Sequence, residues 1–247
     1  MIENSILKKN RAGLRATSMG LTFPSTYVVE LAGEAGFDSI SIDGEHGAFT
    51  PESIEAICRL ANAYGMSVTS RVPNILPSTI NLYLDRGIQG IVGPHVETGD
   101  EAQSLVNACL FPPQGQRSFG GGRMLLNVTD DWGGYGDKRG YYERWNANII
   151  VVAQIESKKA WENLDDILAI KGLTGVTGGP NDFAASLGYP AEPDHPARLA
   201  ATADVELRAR AAGKTVGTEN IGTTAQELLV RKAQELIAAN RDRPQAR

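Results

Sequence analysis

The residues of this chain with the strongest chemical potential are Asp43, Glu45, His46, Arg71, Gln154, Glu156 and Asp182, each placed where a strand is expected to end. Asp43, Glu45 and His46 close the run Ile40-Ser41-Ile42-Asp43-Gly44-Glu45-His46-Gly47, in which an apolar β-branched stretch passes without a helix signal into an acid, glycine, acid, imidazole cluster. In α/β folds the carboxyl ends of strands are where ligands bind. A neutral imidazole beside a carboxylate is a good general base near neutral pH, so His46 is a candidate proton carrier. The same string also fits a plain polar strand-to-helix turn. Glu156 and Asp182 end two successive strands and would share one mouth, where two hard oxygen ligands with waters and substrate oxygens suit an octahedral Mg²⁺ or Mn²⁺. Asp182 has a second reading, as the N-cap of a helix beginning near Phe183. Arg71 could be a fork for a substrate carboxylate or a developing enolate oxygen, or one half of a salt bridge with Glu45 or Asp43. Of the other histidines, His95 follows Pro94 at the end of strand four and His195 lies in a proline-rich loop.

These residues need strands that all point the same way. The sequence predicts strands at 15–19, 40–43, 67–72, 90–92, 149–156, 175–179 and 215–218, with helices between them at about 25–35, 50–65, 78–86, 100–110, 158–170 and 196–212. Thr50 followed by Pro51 is a helix-start signal, and Gly36, Gly65, Gly87 and Gly213 stand where helices should stop. Alternation at this spacing is the mark of parallel βα units, and 247 residues match one (β/α)₈ barrel of typically about 250. We therefore expect a single TIM-barrel domain over 1–247. Two stretches break the rhythm. A long Gly- and aromatic-rich loop is expected at about 111–148, including Gly120 to Arg123 and Trp132 to Trp145, and its aromatic content argues against disorder. Near the end, helices at 223–230 and 231–240 abut with no apolar run between them, so an eighth strand is not evident.

Composition excludes several functions. The net charge is -5 with 24 basic residues scattered along the chain, so no basic stripe exists for nucleic acid or an anionic membrane. No apolar run approaches the roughly 20 residues of a membrane span, and Cys58 and Cys109 read as isolated buried thiols; a cytoplasmic protein is expected. No lysine falls at a strand's carboxyl end, which disfavours Schiff-base chemistry. Nucleophile-elbow, P-loop and dinucleotide fingerprints are missing.

Six motifs occur in order between about Ala12 and Thr218: Ile42-Asp43-Gly44-Glu45-His46, Ser70-Arg71-Val72, Leu84-Asp85-Arg86-Gly87, Pro112-Pro113-x-Gly115-x-Arg117, Gln154-Ile155-Glu156, and Gly179-Pro180-Asn181-Asp182-Phe183-x-x-Ser186-Leu187-Gly188. Together they resemble the class II, metal-dependent pyruvate aldolases of the HpcH/HpaI family. The resemblance implies that Glu156 and Asp182 hold a divalent cation (Mg²⁺, Mn²⁺ or Co²⁺), that Gln154, Asp182 and the backbone around Asn181 contact the bound 2-oxo acid, and that Arg71 stabilises the enolate. His46, supported by Asp85 or Asp43, would shuttle protons. The implied reaction is reversible cleavage of a 4-hydroxy-2-oxo acid to pyruvate, or a close 2-oxo acid such as hydroxypyruvate, and an aldehyde through a metal-bound enolate. The implied assembly is a homo-oligomer, a hexamer with exchanged C-terminal helices. Asn181 stands where a small residue is common in the family, and Ser118 where many members have Gly; both bear on substrate detail. Rival readings are a CoA-thioester lyase of the citryl- or malyl-CoA type and a catalytically silent barrel.

Overall fold

A computed structural model describes residues 2–120 and 137–241. Its centre is an eight-stranded parallel sheet made of β1 (Thr17–Leu21), β2 (Ser39–Asp43), β3 (Ser67–Arg71), β4 (Gly90–Gly93), β5 (Ile150–Ile155), β6 (Gly175–Gly178), β7 (Thr215–Val216) and β8 (Ile221–Thr224). The strand order is β7-β6-β5-β4-β3-β2-β1-β8, which curls the sheet into an open, TIM-barrel-like form with its seam between β7 and β8. The helices are α1 (Ser5–Arg11), α2 (Thr26–Ala35), α3 (Pro51–Ala63), α4 (Pro77–Asp85), α5 (Gly99–Cys109), α6 (Lys138–Asn148), α7 (Lys158–Glu162), α8 (Leu164–Leu168), α9 (Pro180–Ser186), α10 (Pro196–Ala211) and α11 (Ala225–Asn240).

Local chemistry accounts for most of these boundaries. Ser25, Thr50, Thr98 and Ser157 each accept a backbone N–H at a helix start, and Thr50 with Ser53 forms a reciprocal capping box ahead of Pro51. α2 stops on Gly36, whose φ of 85° is a left-handed conformation that glycine adopts without a Cβ clash. Outward-facing aliphatics such as Val151, Ala153 and Ile155 on β5 pack beneath the helices in one continuous core. Residues alternating with them, such as Gln154, are left to face the barrel axis.

Several expectations change. The eighth strand exists: Ile221 to Thr224 pairs in parallel with β1, Thr17 opposite Ile221 and Gly20 opposite Thr224. It was illegible because Ile221-Gly222-Thr223-Thr224 has no apolar run and remains partly exposed; pairing, not composition, makes it a strand. The helices expected at 223–230 and 231–240 are one, α11, capped by the Thr224 hydroxyl, which accepts the Glu227 N–H at 3.0 Å. β7 is shorter than expected, because Gly217–Glu219 tightens into a single 3₁₀ turn. Arg15 crosses the seam, donating to the Thr218 and Glu219 carbonyls at 2.9 and 3.3 Å. The helix expected at 158–170 is two, α7 and α8, parted at Asn163. The long loop ends earlier than expected: α6 covers 138–148 and buries Trp145, whose indole donates to the Cys109 carbonyl at 3.2 Å. Gly121, Gly122, Arg123 and Trp132 lie outside the described residues.

An N-terminal helix with no clear sequence signal, α1, covers the amino ends of the strands. Asn4 caps it and is fully buried, donating to the Gln89 and Asn148 carbonyls at 3.0 and 3.1 Å. The Asn4 N–H donates to Asn148 Oδ1 at 2.7 Å, and the Gln89 and Asn148 side-chain amides both donate to the Ile2 carbonyl. Neutral amides seal that end, with Gln89 Oε1 left without a partner.

Candidate active site

At the opposite, carboxyl ends of the strands, parallel register does the positioning. Asp43 and Arg71 are the last residues of β2 and β3 and lie directly across from each other. Arg71 donates from Nε to Asp43 Oδ1 at 3.0 Å and from Nη2 to Asp43 Oδ2 at 2.7 Å, while its Nη1 stands 3.1 Å from Glu45 Oε2. The two readings of Arg71 therefore coexist: it is bound by both acids, yet each Nη nitrogen carries a second N–H. Burial alone would raise the pKa of Asp43, but the Arg71 bonds and the N–H groups of His46 and Glu45 outweigh it and hold the carboxyl below its ordinary range. Burial would likewise lower the pKa of Arg71; the bonds and charge of Asp43, with Glu45 and Glu156, outweigh it and raise it.

Glu156, immediately after β5, is the most enclosed acid of the cluster, its side chain 3% exposed. Gln154 donates from Nε2 to Glu156 Oε2. Oε1 accepts the backbone N–H of His95 at 2.9 Å and lies 3.0 Å from the His95 Nδ1. The other ring nitrogen of His95 is 3.3 Å from Glu45 Oε1. Asp43, Glu45, Arg71, His95, Gln154 and Glu156 thus form one connected network.

His95 is the member that sequence reasoning passed over. The only available signal was a histidine following the proline at the end of β4. His46 sits on the rim: its N–H bonds Asp43 Oδ1 at 3.3 Å, but its ring is 70% exposed and 3.9 Å from Glu45. Asp182 and Asn181 occupy the exposed first turn of α9, following β6. Gly179, not Asp182, holds the N-cap position, so the N-cap reading of Asp182 does not hold. Asp85 is not brought to His46 within the chain. It ends α4, which runs back to the amino ends of the strands, and there it accepts a bond from Arg117 at 2.8 Å. Arg117 is buried between Phe111 and Trp145, 4.7 and 4.0 Å from the ring centroids, and desolvation lowers its pKa despite the charge of Asp85.

The donor set can be tested against a divalent cation. Among the described residues no group of three His, Cys, Asp or Glu side chains converges on a common point as positioned. The oxygens present, carboxylates of Glu156 and Asp182 and the amide of Gln154, are nonetheless the hard donors that Mg²⁺ or Mn²⁺ takes, with water and substrate filling the remaining positions. The backbone also allows a close approach. A Cβ at Gly179 would collide with Glu156 Oε2 and come 2.7 Å from Gln154 Nε2, so only glycine lets that carboxylate and amide lie against the turn that carries Asp182. The residues fit the cation.

A (β/α)₈-like sheet with an acid, arginine and amide mouth defines the class, and comparison with known proteins identifies the family. Residues 21–246 match the family described as HpcH/HpaI aldolase/citrate lyase, and the chain belongs to it. It is 37% identical over 215 residues to a 4-hydroxy-2-oxovalerate aldolase of Rhodococcus jostii, covering 87% of this chain and 80% of that one. With a 4-hydroxy-2-oxo-heptane-1,7-dioate aldolase of Shigella sonnei it shares 34% identity over 242 residues, covering 96% and 87%. The crystal structure of an HpcH/HpaI aldolase from Desulfitobacterium hafniense superposes with a TM-score of 0.84 at 24% identity, covering 99% and 98%, a likeness of fold.

Proposed function

We propose that this chain is a divalent-metal-dependent aldolase that reversibly cleaves a 4-hydroxy-2-oxo acid to pyruvate, or a close 2-oxo acid, and an aldehyde. The observation that carries the reading is the enclosed Glu156 carboxylate, its Oε2 lying against Gly179 at the start of the turn that carries Asp182 and its surroundings tied to Arg71. The names of the relatives above 30% identity favour an aldolase over a CoA-thioester lyase.

Glu156 and Asp182 are the residues that would hold the cation. A bound cation polarises the 2-oxo group, providing a sink for the electrons released when the C3–C4 bond breaks. Gln154 would orient the 2-oxo acid beside Glu156. Arg71, fixed by Asp43 and Glu45 before substrate arrives, offers its remaining N–H groups to the oxygen on which negative charge grows, so little reorganisation is needed as that charge appears. His46 takes the 4-hydroxyl proton as the aldehyde carbonyl forms, and a proton returned to C3 completes the 2-oxo acid. The reverse order is aldol addition.

We assign a homo-oligomeric state, the hexamer that the resemblance implies. It is supported by α11, which buries none of its residues and exposes Leu229, Val230, Leu236 and Ile237. The compartment we assign is the cytoplasm; no helix among the described residues is long and apolar enough to cross a membrane.

The test is pyruvate release from a short 4-hydroxy-2-oxo acid by protein stripped with EDTA and then resupplied with Mg²⁺, Mn²⁺ or Co²⁺. Activity should vanish and return; metal-independent turnover would refute the roles of Glu156 and Asp182.

A further inference from the structure

We propose that His95 is a positioning residue that holds Glu156, through its backbone N–H and its ring together, in the orientation the cation site needs, and links that site to the Glu45 and Arg71 clamp. The inference rests on the metal-dependent reading above.

Backbone geometry gives the first argument. His95 has a φ of 53°, a left-handed conformation uncommon for a residue with a side chain, and such strain persists only where the surroundings over-determine it. Here they do. The strained turn after β4 directs the His95 N–H to Glu156 Oε1 at 2.9 Å, and the same residue brings Nδ1 to that oxygen at 3.0 Å and Nε2 to Glu45 Oε1 at 3.3 Å. Packing does not explain the conformation, because the ring is 66% exposed while the carboxylate beneath it is almost fully enclosed.

The acceptor positions of Glu156 point the same way. A carboxylate offers about four lone-pair positions. The His95 N–H bonds Oε1, with Nδ1 3.0 Å from the same oxygen, and Gln154 bonds Oε2 once, so an acceptor position remains on Oε2, the oxygen lying against Gly179. His95 thereby sets which oxygen of Glu156 faces the turn that carries Asp182. Through Glu45, which also stands 3.1 Å from Arg71 Nη1, the same imidazole joins the cation site to the group that meets developing negative charge. Contacts of this kind behind a ligating carboxylate typically change metal affinity by about 10- to 100-fold.

The test is Mn²⁺ affinity of the full chain, read from the electron paramagnetic resonance signal of free Mn²⁺, for the unmodified protein, His95→Gly and His95→Asn. Glycine keeps the N–H and is at ease at this φ, so it removes the ring alone; we expect about 10-fold weaker Mn²⁺ binding or more with no fall in the thermal midpoint. Asparagine tolerates the left-handed conformation and its side-chain N–H can replace Nδ1, so it should recover part of the affinity. Equal affinity in His95→Gly, or no recovery in His95→Asn, overturns the positioning role while leaving the aldolase reading intact. If unmodified protein fails to bind Mn²⁺, or Glu156→Gln binds it as well as the unmodified protein does, the metal reading falls and the role of His95 with it.

Discussion

The two ends of the curled sheet solve the same problem differently. Both have polar side chains where strands begin or stop. At the amino end the side chains under α1 are neutral and enclosed: Asn4, Gln89 and Asn148 are nearly or wholly buried and bond backbone groups and one another, and the one charge enclosed there among the described residues, Arg117, is paired with Asp85 between Phe111 and Trp145. At the carboxyl end they are charged, and most remain partly open to solvent: Asp43, Glu45 and Arg71 are linked to His95 and the enclosed Glu156. A neutral amide can be sealed at the cost of finding partners, whereas a charge sealed the same way loses several kcal/mol of hydration. Apart from the Arg117–Asp85 pair, charge is therefore kept where a ligand or water can meet it. The amino end holds the fold together and the carboxyl end is free to bind.

The sharpest way to break this contrast is to remove charge from the carboxyl end. Glu156→Gln and Arg71→Ala should each lower kcat by at least about 10³-fold while circular dichroism still shows folded protein; near-normal turnover in either would sink the site. Gly179→Ala drives a methyl into Glu156 Oε2 and should cost about 10²-fold in kcat/KM, of the order that a small misplacement at a catalytic centre brings. An unaffected Gly179→Ala enzyme would mean that the placement of Glu156 is not used.

The same contrast predicts the opposite result at the other end. Asn4→Ala removes the α1 cap and leaves the Gln89 and Asn148 carbonyls without its amide, so urea unfolding should show a loss of about 2–4 kcal/mol with kcat unchanged. A fall in kcat without a fall in stability would contradict the division of labour. The smallest expected effect is on acid stability. Asp43 has a folded pKa below its unfolded value, so its contribution is present above the unfolded value of about 3.9 and is lost as pH falls through the lower folded one. Thermal midpoints between pH 6 and 3 should show that loss in the unmodified protein and a smaller one in Arg71→Gln, where the main partner is gone. Parallel curves would show that Asp43 is not held by Arg71.

The strand-end residues Asp43, Arg71, Gln154 and Glu156 could be read from sequence because each terminates an apolar or β-branched run, and parallel strands carry their carboxyl ends to one face. β1 to β6 and the helices between them, except α6, were legible for the same reason. Besides α1 and α6, three features were not. Ile221 to Thr224 has no strand signature, and becomes β8 only because β1 offers it a ladder of unpaired backbone groups. Asp85 and His46 could be paired on paper, but α4 runs antiparallel to the strands and leaves Asp85 at the far end with Arg117. His95 carries no pattern of its own; a left-handed turn after β4 lays its ring between acids contributed by β2 and β5, and such a meeting of distant segments has no one-dimensional trace. Sequence determined which chemistry was available, since side-chain type and strand periodicity are local properties. Tertiary structure alone decided which groups meet, because that depends on register, helix direction and one strained turn.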